Sequence, residues 1–242
     1  MMQALIFDFD GLILDTEVPD LQSWQEVYAA HGCDFPMGLW ARNVGTAGDP
    51  FDAYAHLEAH LGRPVDRDAI RARRHRRFAE LVEAQAVMPG ITDYLAEARR
   101  LGLKLGVASS SSRDWVTGHL ARLGLAGSFD SIKSANDVQR AKPDPALYHA
   151  VLDALGLAPE RAIAFEDSPN GIVAAKRAGV FGVAVPNAVT RQLEFDGADL
   201  RLDSLAEMPL QQLLEVIEVR RATGRPEGSP GGADGHGRVD HL

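Results

Sequence analysis

Read in order, the chain carries Asp8-Phe9-Asp10-Gly11, then Ser109, then Lys142-Pro143, then Glu166-Asp167. Four carboxylates, one hydroxyl and one ammonium are the groups that phosphoryl transfer calls for: an anionic nucleophile, a proton carrier, hard oxygen ligands for Mg2+, and donors for the phosphoryl oxygens. A D-x-D-G tetrapeptide by itself, in a chain with 34 acidic residues, reads as a solvated turn. Ser109 in a Ser-Ser-Ser-Ser run reads alone as loop, and Lys142 alone as surface. Their order, with the first and last motifs directly after strand-like runs, sets the group apart.

Those positions require particular elements. Residues 3–7 form a short apolar run that predicts a buried strand ending at Asp8. Residues 103–108 do the same before Ser109, and residues 162–165 before Glu166. In an open parallel α/β sheet the carboxyl ends of neighbouring strands converge on one crevice, so residues more than a hundred positions apart can share a site. From Met88-Pro89-Gly90 onward the pattern alternates: helix over 91–100, strand 103–108, helix 113–123, strand 129–133, helix 144–155, strand 162–165, helix 169–178, strand 181–185. Gly102, Gly124, Gly156 and Gly179 each follow a helical run, where a left-handed cap is expected.

Between the first and second strands the sequence is helical and polar. Residues 20–30 place Leu21, Trp24, Val27 and Tyr28 on one helical face and stop at Gly32. Asp49-Pro50 suits an N-cap and first helical position, with Phe51, Tyr54, Leu57 and Leu61 following up to Gly62. Residues 66–85 form a third stretch that buries Ile70, Phe78, Leu81 and Val82. The expected architecture is α/β: a doubly wound parallel-sheet core over 1–15 and 87–215, with an α-helical cap inserted over 16–86. Residues 222–242, rich in glycine and proline and almost without apolar side chains, are expected to be disordered.

The whole pattern resembles the haloacid dehalogenase-like (HAD) hydrolase superfamily, in the branch of small-metabolite phosphatases and β-phosphoglucomutases. The resemblance runs over residues 3–185 and rests on Asp8-Phe9-Asp10-Gly11-Leu12-Ile13-Leu14-Asp15-Thr16-Glu17, Val107-Ala108-Ser109, Ala141-Lys142-Pro143-Asp144-Pro145 and Phe165-Glu166-Asp167-Ser168-Pro169-Asn170-Gly171. It implies a Rossmann-like core and an aspartyl-phosphate formed on Asp8. Asp10 would protonate the leaving alkoxide and then take a proton from the attacking water. Asp10 must begin protonated: crowding by Asp8, Glu166 and Asp167 would push its pKa upward and bound metal and Lys142 would push it down, a balance the sequence leaves open. Asp8, the Asp10 main-chain carbonyl and Asp167 would hold Mg2+, with Glu166 outside them. Ser109, Ser110 and Lys142 would bind the phosphoryl oxygens, and Arg42 and Asn43 would reach the substrate from the cap. The expected partner is a small phosphorylated metabolite.

Two cap features separate this sequence from the mutases of that branch. They carry a histidine four residues before a tryptophan, where this chain has Asp20 before Trp24, and a lysine before the cap-loop glycine, where it has Val44 before Gly45. Transfer to water is therefore the favoured expectation, with a phosphosugar mutase as the alternative. A phosphorylation sensor is a third reading, against which Asp10 argues, because an acid two residues after the nucleophile promotes turnover.

Composition bounds the rest. With 45% apolar and 24% charged residues the chain is an ordinary globular protein. A net charge of −9 argues against nucleic-acid binding through a basic surface. Cys33, the lone cysteine, forms no intramolecular disulfide and fits a reducing cytoplasm. Asp8 and Asp10 interrupt the apolar start, which lacks a basic leader, so no secretory leader is expected; no uninterrupted apolar run approaches about 20 residues, so no membrane span is expected either. A monomer is expected. His56 and His60, four apart, are expected as a surface or packed pair without metal, and Arg71, Arg73, Arg74, Arg76 and Arg77 as a solvated cap face.

Overall fold

A computed structural model describes residues 1–41 and 51–223. Six parallel strands form one sheet: β1 (Ala4–Phe7), β2 (Lys104–Ala108), β3 (Ser131–Lys133), β4 (Ala162–Glu166), β5 (Phe181–Ala184) and β6 (Leu200–Arg201), in the order β3-β2-β1-β4-β5-β6. β1 is buried along its whole length because it is covered on both faces, which is why it reads as a continuous apolar run. Leu5 and Phe7 pack on one side with Tyr94 and Leu95 of α5 (Ile91–Arg100), Val116 and Leu120 of α6 (Arg113–Arg122), and Leu213 and Ile217 of α9 (Leu210–Thr223). Ala4 and Ile6 pack on the other with Leu147, Tyr148 and Val151 of α7 (Ala146–Leu155) and Ala174 and Ala175 of α8 (Pro169–Arg177).

Among the described residues four helices stand between β1 and α5: α1 (Glu17–Ala29), α2 (Met37–Ala41), α3 (Ala53–Leu61) and α4 (Arg67–Glu83). Trp24, Val27, Tyr28, Ala53 and Leu57 make a separate apolar cluster there, while Val82 of α4 joins the cluster beneath the sheet. The two connectors of this helical insertion run side by side: Leu14 bridges Val87, and the Met88 N–H donates to the Ile13 carbonyl at 2.9 Å.

Several elements differ from the sequence reading. α1 starts at Glu17, not residue 20, because the Asp15 carboxylate accepts the Val18 N–H at 3.0 Å and Pro19 is tolerated in a first turn. α3 is capped by Asp52, which accepts the Tyr54 and Ala55 N–H groups at 3.0 Å each; residues 49–50 lie outside the described residues. The short α2 and β6 carry too little periodicity to have been read. α9 was missed too; its Leu210, Leu213 and Ile217 are buried, and it carries the chain past residue 215 to Thr223, so residues 222–223 are helical rather than disordered. Residues 224–242 lie outside the described residues.

The arginine face is also not simply solvated. Arg74 Nη1 donates to Asp20 Oδ1 at 2.5 Å, and Arg77 pairs with Glu26 at 2.9 Å, tying α4 to α1. His56 Nδ1 lies 3.1 Å from the Tyr28 hydroxyl, and His60 is exposed. No described helix is long and apolar enough to cross a membrane.

Candidate active site

β1 occupies the position where the sheet changes winding direction, with β2 on one side and β4 on the other. Phe7 is in register with Val107 and with Phe165, so the next residues of all three strands emerge at one edge. Asp8, Ser109 and Glu166-Asp167 meet there, and the N-terminal approach to α7 brings in Lys142. A cleft of about 590 Å3 opens above them, floored by Asp8, Asp10, Lys142 and Asp167 and walled by Thr16, Glu17, Asp20 and Phe78 of the insertion side and by Ser110, Ser111 and Trp115.

Lys142 Nζ lies 2.6 Å from Asp8 Oδ1 and 2.7 Å from Glu166 Oε1, with its side chain 6% exposed. The Tyr148 hydroxyl donates to the same Glu166 oxygen. Burial works against the ammonium, but the Asp8 and Glu166 charges overcome it and hold the Lys142 pKa above its ordinary value. Burial is also the first cause raising the Glu166 and Asp167 carboxyls, followed for each by the Asp8 charge. Asp167 Oδ2 accepts from Asn187 Nδ2 at 2.7 Å.

Asp10 turns toward the start of α6. Its Oδ1 accepts from Trp115 Nε1 at 2.8 Å, and its Oδ2 from the Ser111 hydroxyl at 2.6 Å and more weakly from Ser109 at 3.4 Å. Burial raises its pKa most and the Asp8 charge adds to that, opposed by the bonds from Ser111 and Trp115 and by Lys142. On the insertion side Glu17 is pushed up to about 8, first by burial and then by the charges of Asp20, Asp10, Asp15 and Asp8.

Two glycines allow these close approaches. Gly11 has φ +74°, and a Cβ there would sit 2.2 Å from Asp167 Oδ2. A Cβ at Gly171, in the first turn of α8, would sit 1.7 Å from Glu166 Oε2.

The structure therefore brings together Asp8, Asp10, Ser109, Ser110, Lys142, Glu166 and Asp167. Ser109 is fully buried, and its oxygen accepts the Ser111 N–H at 3.0 Å, so the hydroxyls lining the cleft are those of Ser110 and Ser111. Arg42 and Asn43, like Val44 and Gly45, lie outside the described residues. Sequence reading missed Ser111, Trp115 and Asn187. Asn187 follows β5 closely, a polar residue past a strand end; Trp115 falls within the helix expected over 113–123.

The donor set fits a hard cation. Oxygens of Asp8, Glu166 and Asp167, all buried, lie within 4.8 Å of one another. Among the described residues one ammonium, Lys142, pairs with two of these three carboxyls, Asp8 and Glu166, so a cation would meet more carboxyl groups than the lysine neutralises.

Comparison with known proteins agrees with this geometry. Residues 5–185 match the family model described as haloacid dehalogenase-like hydrolase. The chain is 46% identical over 217 residues to YhcW of Bacillus subtilis, covering 90% of this chain and 98% of that one. It is 30% identical to the phosphorylated carbohydrates phosphatase of Thermotoga maritima, covering 90% and 99%. The crystal structure of CbbY from Rhodobacter sphaeroides in complex with phosphate superimposes with a TM-score of 0.65 at 34% identity, covering 86% of this chain and 96% of that one. The match over most of the chain carries the conclusion: this protein belongs to the haloacid dehalogenase-like hydrolases and is a phosphomonoesterase.

Proposed function

We propose that the protein hydrolyses the monophosphate of a small sugar or polyol, with Mg2+, through an aspartyl-phosphate on Asp8. The observation that carries this reading is the Asp8–Lys142–Glu166 chain at the cleft floor, with Asp10 beside it. The relative named for phosphorylated carbohydrates supports the substrate class.

An Asp8 carboxylate oxygen attacks phosphorus, and the bond to the sugar oxygen breaks. The departing alkoxide takes the Asp10 proton. Asp10, now a carboxylate, takes a proton from water as the water oxygen attacks the phosphoryl group. The bond to Asp8 then breaks, releasing inorganic phosphate and restoring both acids. Lys142 stays paired with Asp8 through these steps and neutralises charge on the phosphoryl oxygens, which the Ser110 and Ser111 hydroxyls lining the cleft orient. Asp8, Asp167 and the Asp10 carbonyl would hold Mg2+, which supplies further positive charge at the phosphoryl group when bound. Glu166, already engaged by Lys142 and Tyr148, aims the ammonium. The helical insertion acts as a cap that encloses the leaving group.

The test is a panel of hexose, hexitol, pentose and two-carbon phosphates scored by released phosphate. Activity is expected on a sugar or polyol phosphate, to disappear in excess EDTA and return with Mg2+. Asp8→Asn is expected to abolish turnover and covalent labelling, a loss of about 10⁴-fold or more. Near-normal kcat in Asp8→Asn rules out Asp8 as nucleophile.

A further inference from the structure

We infer that Trp115 is a positioning residue for the proton transfer to the leaving group, acting through Asp10; the inference rests on the role of Asp10 proposed above. Trp115 is the third residue of α6, and its main-chain N–H is taken by the Ser112 cap at 3.3 Å. Its indole N–H reaches the other way, to Asp10 Oδ1 at 2.8 Å. The ring has little freedom to leave that bond. Phe78 of α4 stacks on it at 5.8 Å with 11° between planes, and His119 of the next helical turn packs against it at 4.3 Å and 70°.

An indole N–H only donates, so it holds one carboxyl oxygen as an acceptor at all times. Ser111 and Ser109 face the other oxygen, and a hydroxyl can donate or accept as the proton comes and goes. The three contacts thus treat the two oxygens of Asp10 differently: Oδ1 is pinned, and Oδ2 lies among groups that tolerate either protonation state. Pinning one oxygen fixes the plane of the carboxyl and with it the direction in which the other can deliver a proton. No step in hydrolysis requires Trp115 to touch the phosphoryl group.

Leaving-group chemistry separates positioning from packing. A sugar alkoxide leaves only with a proton, whereas nitrophenolate leaves without one. The comparison uses kcat/KM, which ends at the first irreversible step and so excludes breakdown of the aspartyl-phosphate. Trp115→Phe keeps a ring against Phe78 and loses the N–H. It is expected to lower kcat/KM about tenfold to a hundredfold for the sugar or polyol phosphate turned over fastest in the panel, and by less than about threefold for p-nitrophenyl phosphate. Asp10→Asn, measured alongside, is expected to show the same selectivity more strongly. Where Trp115→Phe lowers the melting temperature, benzothienylalanine at position 115, which has the indole shape without the N–H, replaces it. Equal losses on both esters, or no loss on either, with Asp10→Asn remaining selective, overturn the role of Trp115 alone. Loss of selectivity in Asp10→Asn itself overturns the Asp10 reading and this inference with it.

Discussion

Asp10 and Glu17 are half-buried carboxyls that line one cleft. Their chemistry is set by neighbours, not by residue type. Glu17 illustrates the cost. With its folded pKa at about 8 against an ordinary 4.5, the folded chain keeps a proton that the unfolded chain has released across that window. Stability from this group is fully present below the unfolded value and is lost as pH rises through the folded one. Glu17→Gln is therefore expected to flatten the fall in melting temperature of the metal-free protein between pH 4.5 and 8. Parallel pH slopes for the two proteins in scanning calorimetry contradict the assignment. At this scale the sequence named Asp8 and Asp10, and from the serine run it pointed to Ser109 and Ser110 but not Ser111, since loop geometry alone turns Ser109 inward and Ser111 onto Asp10.

The elements position these groups by register. Three parallel strands in step carry their carboxyl-terminal residues to one edge, and each strand was legible because it is a short apolar run buried on both faces. The helical insertion is held differently, by a small cluster of its own in which Leu57 is fully buried. Leu57→Ala is expected to cost about 2–5 kcal/mol of stability, from lost transfer energy plus the cavity left beneath Trp24 and Tyr28. Denaturant unfolding followed by tryptophan fluorescence measures it; a change under about 0.5 kcal/mol would mean that the cluster relaxes around the gap. The ion pairs of Arg74 and Arg77 with α1 contribute less, since they sit partly in solvent.

Across the whole molecule, charge is concentrated where the sheet converges. Among the described residues three buried carboxyls crowd together and one ammonium pairs with two of them, so without a cation the crowding is relieved by protons held on Glu166 and Asp167. Mg2+ is expected to raise the melting temperature, because it binds the folded arrangement and the unfolded chain has no such site. At 100 times its Kd the stabilisation is about 2.7 kcal/mol, roughly 5–10 °C for a chain of this size. The shift is expected to be larger at pH 8 than at pH 6, since the raised carboxyls of Asp167 and Glu166 must release protons before they meet a cation. Calorimetry at the two pH values checks the sign, and an equal or smaller shift at pH 8 contradicts it.

The sequence alone determined the winding of the sheet and the acids at its strand ends. Both follow from local rules: apolar runs of strand length, glycines at helix ends, and short motifs with fixed internal spacing. It also showed that an insertion interrupts the core after β1. Only the tertiary structure decided which hydroxyl meets Asp10, that Trp115 donates to it, that Asn187 holds Asp167, and that Arg74 and Arg77 belong to the insertion's seams. Those contacts join residues from 20 to 105 positions apart through side-chain direction and packing, and no periodicity along the chain encodes a meeting of that kind.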